Sequence, residues 1–251
     1  MLGKLTLVGA GPGDPELITL KGVKALQQAD VVLYDALANE ELLKYAPHAE
    51  KIFVGKRKGI HKFIQEKIHE LIITHTTKGK HVVRLKGGDP FIFGRGAEEL
   101  KYVLDKGIEF DIVSGVTSVI AAPASFGISL TQRGVNESFR VITGTTSEVE
   151  LSEDIEAAAS SNVTIVVLMG MSKLEKIVNA FLAHGKTEIP VAIIENGTWD
   201  KEQLAIGKIN TILEIINQKG LKNPSMIVIG ETVKESKVLY EYLLNKKGLK
   251  L

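Results

Sequence analysis

Two glycine-rich turns carry the residues best suited to chemistry. The first, Val8-Gly9-Ala10-Gly11-Pro12-Gly13-Asp14, follows a strand-like run and has the outline of a phosphate-binding loop. Asp35 even stands where a ribose-binding acid would fall. Three details oppose that reading. Asp14 occupies the place of the third glycine in G-x-G-x-x-G. Pro12 removes an N–H from a loop whose work would be to donate N–H groups. Pro15 disfavours a helical Asp14, so the helix is expected to begin late, with Thr19 as its N-cap. An acid without phosphate partners suits a cationic ligand, and S-adenosylmethionine offers a sulfonium, an ammonium and a single carboxylate. On glycine content alone, a tight β–α turn comes first.

The second turn is more specific. Residues 83–96 read VRLKGGDPFIFGRG, a buried strand running out into Gly87-Gly88-Asp89-Pro90. Paired glycines let a ligand approach the backbone. Asp89, held extended by Pro90, can point its carboxylate into a cleft at the strand's C-terminal end. Asp89 capping a turn in a surface loop is the alternative. Residues 115–123 then look like a helix start capped by Thr117 or Ser118, whose small residues admit a cofactor or a neighbouring helix equally well.

The elements that must position these turns alternate. Short Val/Ile/Leu-rich runs at 5–8, 31–34, 51–54, 81–85 and 110–113 are separated by helix-period segments at 20–28, 62–74 and 97–104. That order predicts a mostly parallel sheet covered on both faces. A second series follows at 139–143, 163–169, 191–195, 204–207 and 226–230. Its Asn196-Gly197 signal predicts a hairpin, hence a mixed sheet. The expected fold is therefore two α/β domains, 1–114 and 115–251, with a ligand cleft between them.

Composition narrows the function. Lys and Arg number 31 against 30 Asp and Glu in 251 residues, too balanced for a nucleic-acid footprint. Cysteine is absent, which removes disulfides and thiolate chemistry and suits a reducing compartment. The start lacks signal-peptide features and no apolar run approaches ~20 residues, so a cytosolic protein is expected. His69-Glu70 is followed by Ile73 where H-E-x-x-H requires His, so no catalytic metal is expected. His61 and His69 are expected to be exposed on an amphipathic helix.

Taken together, GAGPGD (9–14), LITLKG (17–22), ADVVLYD (29–35), VGK (54–56), RLKGGDPFIFGRGAEE (84–99), 115–123, LTQRG (130–134), ENGT (195–198) and IVIG (227–230) resemble the tetrapyrrole (corrin/porphyrin) methylase family. The resemblance spans nearly the whole chain in the expected order. It is nearest to the members that methylate uroporphyrinogen III at carbons 2 and 7, giving precorrin-2, the entry to sirohaem and cobalamin. It implies two α/β domains, a homodimer, and S-adenosyl-L-methionine folded into the interdomain cleft. It places cofactor contacts at Pro12, Gly87, Gly88, Asp89, Ile92, Thr117, Ser118, Met169 and Gly197, and acid–base residues at Asp35 and Lys56. From the residues alone, Met169 would be core, Asp35 a helix cap and Lys56 a surface charge. Ser114, Ser129, Gln132 and Trp199-Asp200 depart from the family pattern and bear on substrate detail. No fused dehydrogenase or synthase module is expected.

The implied substrate carries eight carboxylates, which the planar fork of arginine recognises well. Arg95 and Arg133 come first for their loop context, with Arg57, Arg84 and Arg140 behind. Rival readings are a methylase for another corrin precursor, an RNA methyltransferase, and a non-catalytic nucleotide-binding module.

Overall fold

The computed structural model describes residues 1–55, 63–146 and 150–249. They form two compact units, Met1–Ser118 and Val119–Leu251. The first unit contains β1 (Lys4–Gly9), α1 (Leu20–Gln27), β2 (Val31–Tyr34), β3 (Glu50–Phe53), α2 (Phe63–Thr76), β4 (Val82–Lys86), α3 (Gly96–Leu104) and β5 (Glu109–Val113). Its five strands lie in the order β3-β2-β4-β1-β5, and every neighbouring pair is parallel. Alternation along each strand feeds two separate cores. Val8, Val32, Val83 and Leu85 face one side with Leu26 and Leu42. Leu5, Leu7, Val31 and Leu33 face the other, under Ile68, Ile72, Leu100 and Val103. Burying each of these side chains stabilises the fold by roughly 1.5–3 kcal/mol.

From β1 the chain passes β4 to reach β2, and from β4 it passes β1 to reach β5. The C-terminal ends of β1 and β4 therefore flank a topological switch point, where open α/β sheets bind ligands. Both glycine turns emerge there. Thr19 caps α1 by accepting from Gly22 N at 3.1 Å, so the helix begins late, as Pro15 requires.

The second unit contains α4 (Ser118–Ser125), whose first residue closes the first unit, then β6 (Phe139–Thr143), α5 (Asp154–Ala159), β7 (Thr164–Leu168), α6 (Leu174–Ala183), β8 (Pro190–Glu195), β9 (Gln203–Lys208), α7 (Ile212–Lys219), β10 (Ser225–Ile229), α8 (Glu231–Glu235) and α9 (Lys237–Lys247). The sheet order is β6-β7-β10-β8-β9. Only β6 and β7 are parallel, so the sheet is mixed. The β8–β9 hairpin foretold by Asn196-Gly197 is present, but its connection is longer than a two-residue turn. Asn196 and Thr198 hold the positive φ angles, 50° and 71°, on either side of the glycine.

His81, just before β4, supplies a test of the first unit. A carbonyl only accepts, so its Nδ1–H donates to Gln28 O (3.0 Å), and Nε2 then accepts from Thr6 Oγ1 (2.8 Å). Burial pushes the imidazole below its usual range; Lys4 adds to this, while the Gln28 carbonyl, Asp30 and Asp111 oppose it. The unfolded chain therefore takes up a proton that the folded chain resists, and stability falls as pH drops through about 6.5. The thermal midpoint is expected to decline between pH 7 and pH 5, and His81→Gln should flatten that decline. An unchanged slope in His81→Gln would remove His81 from this account.

Candidate active site

Three strand ends meet in the first unit. Ala10 N donates to Lys86 O (2.7 Å), and Gly11 and Gly88 exchange backbone bonds, joining the turns after β1 and β4. Gly115, after β5, closes the group. A Cβ at Gly115 would lie 2.3 Å from Gly88 O and 2.7 Å from Gly9 Cα, both backbone atoms. No side chain larger than hydrogen fits there. The glycines that suggested a phosphate loop thus have a packing reason of their own.

Asp89 fastens the same group. Its Oδ1 accepts from Phe91 N (2.8 Å) and its Oδ2 from Gly115 N (3.0 Å). The carboxylate ties the second turn to Gly115, just before α4, with one donor on each oxygen. Asp14 accepts from Glu16 N (2.8 Å), and Asn39 donates to Gly13 O (2.8 Å), fixing the first turn. Pro12 is half-buried beside them.

Gly88 differs from its neighbours. Its φ is +66°, and the nearest atoms to an added Cβ are Ser118 N and Thr117 Cα, at 3.9 and 4.0 Å. It leaves a cradle beside the first residue of α4 that a methyl group would fill. Ile92 stands exposed between Phe91 and Phe93, also exposed, in the loop that follows. A glycine-backbone cradle with half-buried Thr117 and Ser118 beside it fits S-adenosylmethionine, which needs close backbone approach and no phosphate ligands.

Asp35 ends β2 next to this group. A Cβ at Gly87 would meet Leu37 Cβ at 2.5 Å, so the turn after β2 packs against the second glycine turn. Asp35 Oδ1 accepts from Leu37 N (3.1 Å), and Oδ2 accepts from Arg84 Nη2 (2.9 Å). Arg84 is 3% exposed, which overturns its candidacy as a surface ligand for substrate. It also donates to Leu33 O and Leu85 O and lies 3.7 Å from Glu99. Glu99, fully buried on α3, accepts from Lys86 Nζ at 2.7 Å and from Gln65 at 3.2 Å. Burial, then the neighbouring Arg84, pushes the Lys86 ammonium below its usual range, while Glu99 opposes the shift. Sequence reasoning missed this cluster. The signal was available: Arg84 and Lys86 alternate with Leu85 along a central strand, and so share one face.

Arg95 precedes α3 with φ 58° and forms a two-toothed ion pair with Glu98, at 3.0 Å from Nε and 2.6 Å from Nη2. Arg133 and Arg140 are exposed in the second unit. Lys56, Arg57 and His61 lie outside the described residues. His69 is not exposed as expected: it is half-buried and stacked on Tyr102 at 4.2 Å. Among the described residues, no group of His, Asp and Glu is arranged to hold a metal, and no helix is long and apolar enough to cross a membrane.

In the second unit, Met169 is not core. It stands just past β7 with φ 54° and is half exposed. Beside it, Gly144 and Gly170 approach so closely that a Cβ on Gly144 would lie 2.3 Å from Gly170 Cα. Gly197 packs on Ala122 of α4. Its loop is held by Glu202, which accepts from Thr198 N (2.9 Å) and Ser125 (2.9 Å) and pairs with Lys247.

The sequence pattern described as Tetrapyrrole (Corrin/Porphyrin) Methylases matches residues 4–213. A uroporphyrinogen-III C-methyltransferase of Methanocaldococcus jannaschii is 47% identical over 236 residues, covering 93% of this chain and 98% of that one. A solved uroporphyrin-III C-methyltransferase of Thermus thermophilus, complexed with S-adenyl homocysteine, superposes with a TM-score of 0.80 at 37% identity, covering 93% of this chain and all of its own. A cobalt precorrin-4 methyltransferase structure gives a TM-score of 0.82 at 31% identity, covering 92% of this chain and 95% of its own.

Proposed function

We propose, since this chain belongs to the tetrapyrrole (corrin/porphyrin) methylases, that it transfers methyl groups from S-adenosylmethionine to carbons 2 and 7 of uroporphyrinogen III, giving precorrin-2 for sirohaem or cobalamin synthesis. The observation that carries this reading is the backbone cradle at Gly88. An added Cβ there meets nothing nearer than 3.9 Å, and the neighbouring Gly87 packs on Leu37 of the turn that carries Asp35. The relatives of matching length carry the same activity in their names, which favours uroporphyrinogen III over a later corrin precursor. We place the enzyme in the cytosol as a homodimer.

Pro12, Gly87, Gly88, Asp89, Ile92, Thr117, Ser118, Met169 and Gly197 are proposed to contact the cofactor. Bound there, it supplies an electrophilic methyl group on a sulfonium. The protein's task is mainly to position an electron-rich pyrrole carbon against that methyl, at roughly 3–3.5 Å. Methylation at a ring carbon leaves an iminium-like ring that must lose a proton. Asp35 is the proposed acceptor. Its side chain is 24% exposed, and a carboxylate with one donor on each oxygen keeps lone pairs for a third. Oδ1, partnered by a neutral N–H rather than a guanidinium, is the better placed oxygen. Lys56 is proposed to donate a proton or bind a substrate carboxylate, and Arg95 and Arg133 to bind others.

Titration calorimetry separates this reading from the dinucleotide one. S-adenosylhomocysteine is expected to bind and NAD is not; NAD binding without S-adenosylhomocysteine binding would overturn the assignment.

A further inference from the structure

The buried charges behind Asp35 are not explained by stability. Arg84, Lys86 and Glu99 are 3%, 6% and 0% exposed, on a sheet face otherwise lined by Leu5, Leu7, Val31 and Leu33. Desolvating such groups costs several kcal/mol per ion, and apolar replacements of similar volume are often neutral or stabilising. Two cations and two anions balance within the cluster, and only Asp35 reaches the surface. The orientation of the guanidinium shows which partner it serves. Nη1 donates to Leu33 O and Leu85 O, and Nη2 to Asp35 Oδ2. Among the described residues, Nε and Glu99 Oε2 are left without a hydrogen bond, 3.7 Å apart. The fork is therefore aimed along the strands at Asp35, and Glu99 contributes mainly charge, while Lys86 and Gln65 bond its other oxygen.

We propose that Arg84 is a positioning residue for Asp35, fixing the direction of its carboxylate, and that Glu99 and Lys86 hold Arg84 in place from beneath. This rests on the reading of Asp35 as the proton acceptor. Lysine at position 84 would keep the charge but lose the fork that bonds two carbonyls and a carboxylate at once. A misdirected carboxylate lowers kcat without touching the cofactor cradle.

The test is a double-mutant cycle on kcat, with S-adenosylhomocysteine affinity and the thermal midpoint measured on every variant. Arg84→Lys is expected to lower kcat roughly 10- to 100-fold, with affinity for S-adenosylhomocysteine unchanged within about twofold. In an Asp35→Asn background the same substitution should cost nothing further, because the group it directs is gone. Glu99→Gln is the second variant, used should Arg84→Lys fail to fold, with a smaller drop and the same loss of effect in Asp35→Asn. An equal drop in both backgrounds, or no drop in the native one, would overturn the positioning role while leaving Asp35 as the acceptor. An Asp35→Asn enzyme with native kcat would instead remove the acceptor reading, and this inference with it.

Discussion

Asp35→Asn should reduce kcat by about 10²- to 10⁴-fold, the usual range for removing a general base, while S-adenosylhomocysteine binds nearly as it does to the native enzyme. Asparagine is isosteric, so the shape around β2 is preserved, but its single carbonyl oxygen can accept from Leu37 N or from Arg84 and not from both, as the two carboxylate oxygens do. It cannot take up a proton. The backbone at Gly88 and the start of α4 do not use the Asp35 carboxylate, which bonds Leu37 N and Arg84. Steady-state kinetics beside titration calorimetry separates the two quantities. Equal losses in turnover and cofactor affinity would make Asp35 a binding residue, and unchanged turnover would place the proton acceptor elsewhere.

Gly115→Ala is expected to damage both the fold of the first unit and the site. The added carbon would sit 2.3 Å from Gly88 O, 2.7 Å from Gly9 Cα and 2.8 Å from Gly9 C, all backbone. No rotamer change relieves such contacts, so the ends of β1, β4 and β5 must move apart. Overpacking of this kind costs typically 1–3 kcal/mol, and the bond from Gly115 N to Asp89 would be disturbed with it. Urea unfolding should show the lost stability, and calorimetry at least a tenfold loss of S-adenosylhomocysteine affinity. Gly88→Ala is the informative contrast. Its Cβ meets nothing nearer than 3.9 Å, so the penalty is the left-handed φ, about 1–2 kcal/mol. It should weaken the cofactor by filling the cradle while the fold survives. A Gly115→Ala protein of native stability and affinity would show that the glycine cluster is not what shapes the site.

Much of this was legible in the sequence, and the rest was hidden for identifiable reasons. Val, Ile and Leu runs located the strands most clearly in the middle of each sheet, where β1, β7, β8 and β10 are buried on both faces and read as continuously apolar, while edge strands such as β3 and β5 are mostly exposed. The late start of α1 followed from Pro15 and Thr19, which act locally. Asp89 illustrates a limit. Asp before Pro in a glycine turn reads as a ligand contact, and its second role as a brace depends on Gly115, 26 residues on, which no local pattern shows. Met169 shows the opposite limit: from the residues alone it would be core, whereas a left-handed φ just past the strand's end leaves it half exposed, and only the family resemblance suggests a cofactor contact there. Arg84 and Lys86 were hidden because charged residues near a strand end are usually solvated. Their partner, Glu99, arrives from α3 by tertiary packing that no local pattern encodes.

The central claim is methyl transfer to a tetrapyrrole, and a mass measurement tests it most directly. Folded protein shown to bind S-adenosylhomocysteine is incubated with uroporphyrinogen III and excess S-adenosylmethionine, and the tetrapyrrole is weighed by mass spectrometry. The account predicts a product heavier by two methyl groups, absent when the methyl donor is left out. An unchanged tetrapyrrole mass from that same folded, cofactor-binding protein would contradict it.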